Sequence, residues 1–187
     1  MFNRGNASWL GSAVYLSGRA APECYSLAVA QGVPRGLDMH TFAAAGAGFL
    51  LAVLWFDLMF DVQTRKHASD SLPPEVLASI TSYYRRVTTD AYPMNRLVAL
   101  VMILTLAAIC AEIVQDKNPW WIGWGSLALA GSGFVPTMTR TVPNARRLGS
   151  AKDSAEEQSK LARAVFRDHM FSFARMIVVL GLQLIAQ

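Results

Sequence analysis

The sequence predicts an all-α integral membrane protein: a four-helix bundle with a short amphipathic surface helix between its first and second spans. Three observations carry that expectation. Of 187 residues, 53% are hydrophobic and only 16% are charged, a balance too apolar for an ordinary soluble domain. The apolar residues gather in a few blocks, and residues 41–56 hold no charge over a length close to the roughly 20 residues that cross a bilayer core. Lysines and arginines collect beside those blocks without interleaved stacking aromatics, so the net charge of +4 reads as a topology signal and not as a nucleic-acid surface.

Residues 1–38 are rich in Gly, Ser and Ala, with Arg19, Pro22 and Glu23 interrupting a mildly apolar stretch. A poorly ordered or non-native extension is expected there, with translation starting at Met39. The membrane domain is expected over 39–187, with spans at about 41–61, 97–114, 119–139 and 169–186. Cys24 falls in the extension and Cys110 in an apolar helix, so neither a disulfide framework nor a thiol metal site is expected.

The first span ends on Asp57 and Asp61, four residues apart and therefore on one helical face, at or just inside the lipid boundary. A polar connection follows. Pro74 then suits a first helical turn, and Val76, Leu77, Ile80, Tyr83, Tyr84 and Val87 recur at helical spacing, which predicts a helix lying on the membrane surface with its tyrosines as interfacial anchors. The second span opens at Pro93 and carries Glu112 one turn from its far end, where the carboxylate is expected to reach water. The tight link to Pro119 makes spans two and three antiparallel neighbours. Trp120, Trp121 and Trp124 belong at a headgroup boundary, the small residues that follow favour close packing, and Pro136 should bend or loosen the helix. Residues 150–167 carry both signs of charge and should form a solvated helical connection into the fourth span, which bears Arg175 inside its apolar part.

Four spans put the termini and the 115–119 turn on one side. The 62–96 and 140–169 connections lie on the other, with Arg65, Lys66, Arg85, Arg86, Arg140, Arg146, Arg147, Lys152, Lys160, Arg163 and Arg167. Against these stand Arg4, Arg19, Arg35 and Lys117. The positive-inside rule therefore predicts a multi-pass protein of the inner (plasma) membrane with both termini outside and both long connections in the cytoplasm.

That topology gathers Asp57, Asp61, Asn95, Arg96, Arg140, Asn144, Asp168, His169 and Arg175 toward one leaflet. Asp57 lies roughly 6 Å inward of Asp61, and Arg175 roughly 9 Å inward of His169. An ion pair or water-bridged contact between Arg175 and Asp57 is predicted, because either charge buried alone would cost several kcal/mol. His169 and Asp61 should stand nearer the mouth of a polar inter-helix pocket. The candidate catalytic residues are His169, Arg175 and Asp57, and the candidate substrate-binding residues are Asp61, Asn95, Asn144 and Trp55. A purely structural clasp between spans one and four is the competing reading of the charged pair. No spacing such as His-Glu-x-x-His appears, so neither a metal nor another cofactor is expected.

The stretch Val142-Pro-Asn-Ala-Arg-Arg-Leu148, followed by a polar helical connection and then Phe166-Arg-Asp-His-Met-Phe-Ser-Phe-Ala-Arg175, resembles the anthrone oxygenase-like family of small four-span membrane proteins. In that family a Pro-Asn or Pro-x-Asn element follows span three, and a His followed by an Arg opens span four. The Gly-rich first span, the surface helix and the Tyr-Pro-Met-Asn start of span two are similar as well, so the likeness covers about residues 40–187. It implies a four-helix membrane bundle and, for some relatives, oxygenation of polycyclic phenolic substrates without metal or flavin. By motif position it carries Asn144, His169 and Arg175 into a site. The six residues from His169 to Arg175 exceed the family spacing, and Asp57 and Asp61 have no counterpart in it.

Two functions are expected to compete. One is binding or oxidation of a lipophilic aromatic, anthrone- or quinone-like, with the bilayer and that small molecule as partners. The other is a non-catalytic accessory subunit of a larger membrane complex or a homo-oligomer. An ion path through Asp57, Asp61 and Glu112 is disfavoured, since Glu112 belongs near the opposite face.

Overall fold

A computed structural model describes residues 38–186, apart from 68, 70 and 117. The expected extension, with Cys24, Arg4, Arg19 and Arg35, and also Lys117, therefore lies outside the described residues, save Asp38. All regular structure among those described is helical, with no strand. In chain order come α1 (Met39–Asp61), a 3-10 turn (Val62–Lys66), α2 (Pro74–Arg85), a π turn (Arg86–Asp90) and α3 (Tyr92–Gln115). After these follow α4 (Trp120–Pro136), a second π turn (Thr137–Thr141), α5 (Val142–Ser150) and α6 (Ala155–Ile185).

Local chemistry explains the boundaries. Pro74 starts α2 where its missing N–H costs nothing. Ser154 caps α6 by accepting from the Glu157 backbone N–H at 3.3 Å, and Glu156 and Glu157 place negative charge at the positive end of the helix dipole. Pro136 supplies no N–H to the carbonyl of Ser132 four residues earlier, and directly beyond it α4 widens into the π turn.

Three described helical segments are long and apolar enough to cross a membrane: Met39–Lys66, Pro93–Gln115 and Ala155–Ile185. Their outward faces carry Phe42 and Met59, Leu100, Ile103 and Leu104, and Ile177, Val178 and Leu184, as lipid requires of a spanning helix. The span expected at 119–139 is the exception, since its α-helix has 17 residues before the π turn. α1 packs along α6 and α3, and α4 packs along the same two helices. Ala43, Ala47, Leu50, Ala108, Ile109, Ala130, Met176 and Val179 fill the space between them. Gly46 lets α1 approach the Thr105 side chain so closely that a Cβ there would collide with it.

A second core, distinct from the first, joins Leu72, Leu77, Ile80, Tyr84, Ala145, Leu148, Leu161, Ala162 and Val165. It corrects the expectation for the surface helix. α2 turns its apolar face onto α5 and the first half of α6, because residues 155–167 of the expected connection are the start of α6 and offer a protein surface. The 31 residues of α6 reach roughly 46 Å, so one unbroken helix serves both cores. Glu112 is corrected as well: it is only 4% exposed, and its Oε1 accepts from Asn118 Nδ2 at 2.8 Å. Asp116, Asn118 and Pro119 lie beside the helix end with Trp120 and Trp124 and help to cover the carboxylate.

Candidate functional site

The last turn of α1 presents Asp57 and Asp61 on one face, and the last turn of α2 brings two adjacent tyrosines against them. Tyr83 donates its phenol to Asp57 Oδ1 at 2.7 Å, and Tyr84 donates to Asp61 Oδ1 at 2.7 Å. α6 supplies the third component. His169 Nδ1 stands 2.7 Å from Asp61 Oδ2, and its Nε2 lies 3.9 Å from Asp57 Oδ2. With an acceptor-only carboxylate opposite, Nδ1 carries the hydrogen, and Nε2 is left toward Asp57. Asp61 is 0% exposed, has both oxygens engaged and does not line the cavity, so it fixes the ring from behind.

Packing holds the tyrosines in place. The Tyr83 ring stacks on Phe60 at 4.0 Å between centroids and meets Tyr84 edge-on at 5.3 Å. Gly149 of α5 abuts the α2 backbone at Tyr84 and Arg85, where a Cβ would sit 2.8 Å from the Tyr84 carbonyl carbon. Burial, reinforced by the neighbouring carboxylates, pushes both phenols well above their ordinary pKa near 10. Both tyrosines therefore remain hydrogen-bond donors across the physiological range.

These groups border a cavity of about 380 Å³ whose wall is mostly apolar, built from residues such as Leu50, Leu54, Val98, Met102, Phe134 and Met176. Asp57, Tyr83, Tyr84, Asn95, His169 and Arg175 are the polar and ionisable side chains of note among its lining residues. A largely apolar hollow with a few convergent polar groups is the usual form of a small-molecule site. At the rim, Phe56 and Met94 line the cavity while remaining 60% and 48% exposed.

Four of the sequence-derived residues, Asp57, Asn95, His169 and Arg175, thus meet at one cavity. Asp61 stands behind His169. Asn144 is not in the wall, and neither is Trp55, which is exposed on the outer surface with its ring 6.1 Å from that of Phe173. Of the expected ion pair or water-bridged contact between Arg175 and Asp57, the direct ion pair is absent, for a geometric reason. Six residues turn a helix through roughly 600°, so Arg175 points about 120° away from His169 and faces α4 instead of α1. There its Nη1 donates to Ser132 O at 3.4 Å, the carbonyl that Pro136 leaves without a helical donor. Asp168 pairs elsewhere, 3.4 Å from Arg140 Nε and accepting from Thr141 Oγ1 at 3.2 Å.

Sequence reasoning missed Tyr83 and Tyr84 as site residues by assigning them to the headgroups. Their signal was present: two acids at the end of a span need donors, and a pair of phenols on the apolar stripe of the following amphipathic helix can bring donors into an apolar setting. Among the described residues no group of three or more His, Cys, Asp or Glu side chains is placed to hold a metal. No family model, no curated protein and no solved structure matches the chain.

Proposed function

We propose that the chain is a four-span membrane protein that binds a lipophilic aromatic molecule in this cavity and handles a proton of that molecule at His169. The observation that carries the reading is an imidazole fixed by a buried carboxylate, flanked by a second one, and opening onto an apolar hollow. α4 with the π turn that prolongs it spans roughly 30 Å, which is enough for a fourth crossing. α2, α5 and the first half of α6 then form a cap over one leaflet. The basic residues of that cap, from Arg65 to Arg167, favour the cytoplasmic side by the positive-inside rule, leaving both termini outside.

The resemblance to the anthrone oxygenase-like family supports a specific reaction. His169, as general base, removes a proton from an acidic CH2 flanked by aromatic rings. The resulting carbanion adds to dioxygen, takes up a proton to become a hydroperoxide, and loses water. One CH2 and one O2 become one C=O and one H2O, with dioxygen as the oxidant. Asp61 holds the ring for proton transfer, and the Tyr83 and Asp57 pair stands beside the forming enolate.

Oxygen consumption with anthrone, measured on purified protein in detergent, tests the reading. General-base assistance contributes about 100-fold or more, so His169→Gln should lower the rate by at least that factor, with Asp61→Asn in between. Wild-type rates retained by His169→Gln would overturn it. So would a native purification yielding stoichiometric protein partners, no extractable aromatic and no anthrone-dependent oxygen uptake, an outcome that favours an accessory subunit.

A further inference from the structure

Arg175 narrows the class of ligand. Its guanidinium keeps its charge and offers five N–H donors in a fixed fork. Nη1 meets Ser132 O at 3.4 Å and Nη2 meets Ser172 Oγ at 3.3 Å, both long for such bonds. Nε is buried and has no hydrogen-bond partner, and no described carboxylate pairs with the group. Closing the carbonyl left by Pro136 needs one N–H, and a lysine would serve. Arg175 itself lines the cavity, roughly 9 Å along α6 from His169, with donors to spare.

Resting on the cavity reading above, we propose that the ligand is a lipophilic acid: an elongated apolar molecule whose anionic oxygen, carboxylate or phenolate, sits on Arg175. Its other end reaches His169 and Asp57, where a hydroxyl can donate to the carboxylate. A guanidinium in an apolar setting prefers an anion in its fork to two stretched bonds with neutral oxygens. The apolar wall between the two ends takes the hydrocarbon body. Phe56 and Met94, which both line the cavity and face outward, mark the side on which such a molecule passes from the bilayer between the end of α1 and the start of α3.

The test measures binding of anthracene-2-carboxylate and of its methyl ester to the full chain in detergent, with affinities expressed per mole fraction in the micelle. Wild-type protein should prefer the acid by about tenfold or more, as one charge-assisted contact implies. Arg175→Gln should abolish that preference, and Arg175→Lys should retain part of it. Equal affinity for acid and ester in the wild type, or an unchanged preference in Arg175→Gln, overturns the proposal and leaves the aromatic-binding reading standing. Binding of neither compound removes both. If Arg175→Gln does not fold, the wild-type comparison and Arg175→Lys still decide. Palmitate identifies the source: displacement of the bound anthracene acid supports recognition of acids drawn from the bilayer, and its failure beside a tight anthracene acid supports an aromatic acid.

Discussion

At the level of single residues, the site is a set of acids at the end of an apolar helix that have found donors. Asp57 and Asp61 each take a phenol, and His169 stands between them. That some such centre existed was legible in the sequence, because charges at the end of an apolar run need partners. Which partners they take was not, because the answer depends on helix rotation and on Pro136 orphaning a carbonyl one helix away. The raised phenol pKa values have a measurable consequence. A phenol held protonated lends stability that is whole below the unfolded value of about 10 and is lost as the pH climbs toward the folded-state value. Spectrophotometric titration of the native protein should therefore show a phenolate component appearing well above pH of about 10. That component should be absent from a variant carrying Tyr83→Phe and Tyr84→Phe, and its persistence there would assign it to other tyrosines.

Among the helices, small residues decide how closely neighbours approach. Gly149 faces the α2 backbone, with a built Cβ 2.7 Å from Arg85 N, whereas a Cβ on Gly48 would meet nothing within 4 Å. Backbone cannot move aside as a flexible side chain can. Gly149→Ala should thus lower stability by about 1–3 kcal/mol and loosen Tyr84, while Gly48→Ala should leave stability unchanged or raise it by up to about 1 kcal/mol through helix propensity. Thermal unfolding in detergent, read beside the phenol titration, checks both. Helix positions were the most legible feature, since long apolar runs with proline starts follow from composition and periodicity. The burial of α2 was less so: an amphipathic stripe such as Leu77, Ile80 and Tyr84 looks the same whether it meets lipid or α5 and α6.

Across the molecule, α6 ties the two cores together, running from Leu161 and Val165 in one to Met176 and Val179 in the other. Inserting one alanine after Phe166 would turn everything beyond it by roughly 100° and carry His169 away from Asp61. The expected result is a protein that still reaches the membrane but has a lowered unfolding temperature and no aromatic binding. The same insertion between Ala151 and Asp153, ahead of the Ser154 cap, should be tolerated, and equal damage at both places would contradict the account. The continuous helix was half visible in the sequence, where a polar connection feeding an apolar run gave no sign of a break but also no reason to assign its first half to a core. The same architecture sets a timetable for biogenesis. As the ribosome releases the chain, the first span emerges with two acids at its trailing end, the phenol of Tyr84 follows Asp61 after 23 residues, and the imidazole arrives only 108 residues behind it. Until α6 has been made, Asp61 lacks its imidazole partner, so the site is completed only with the last described helix.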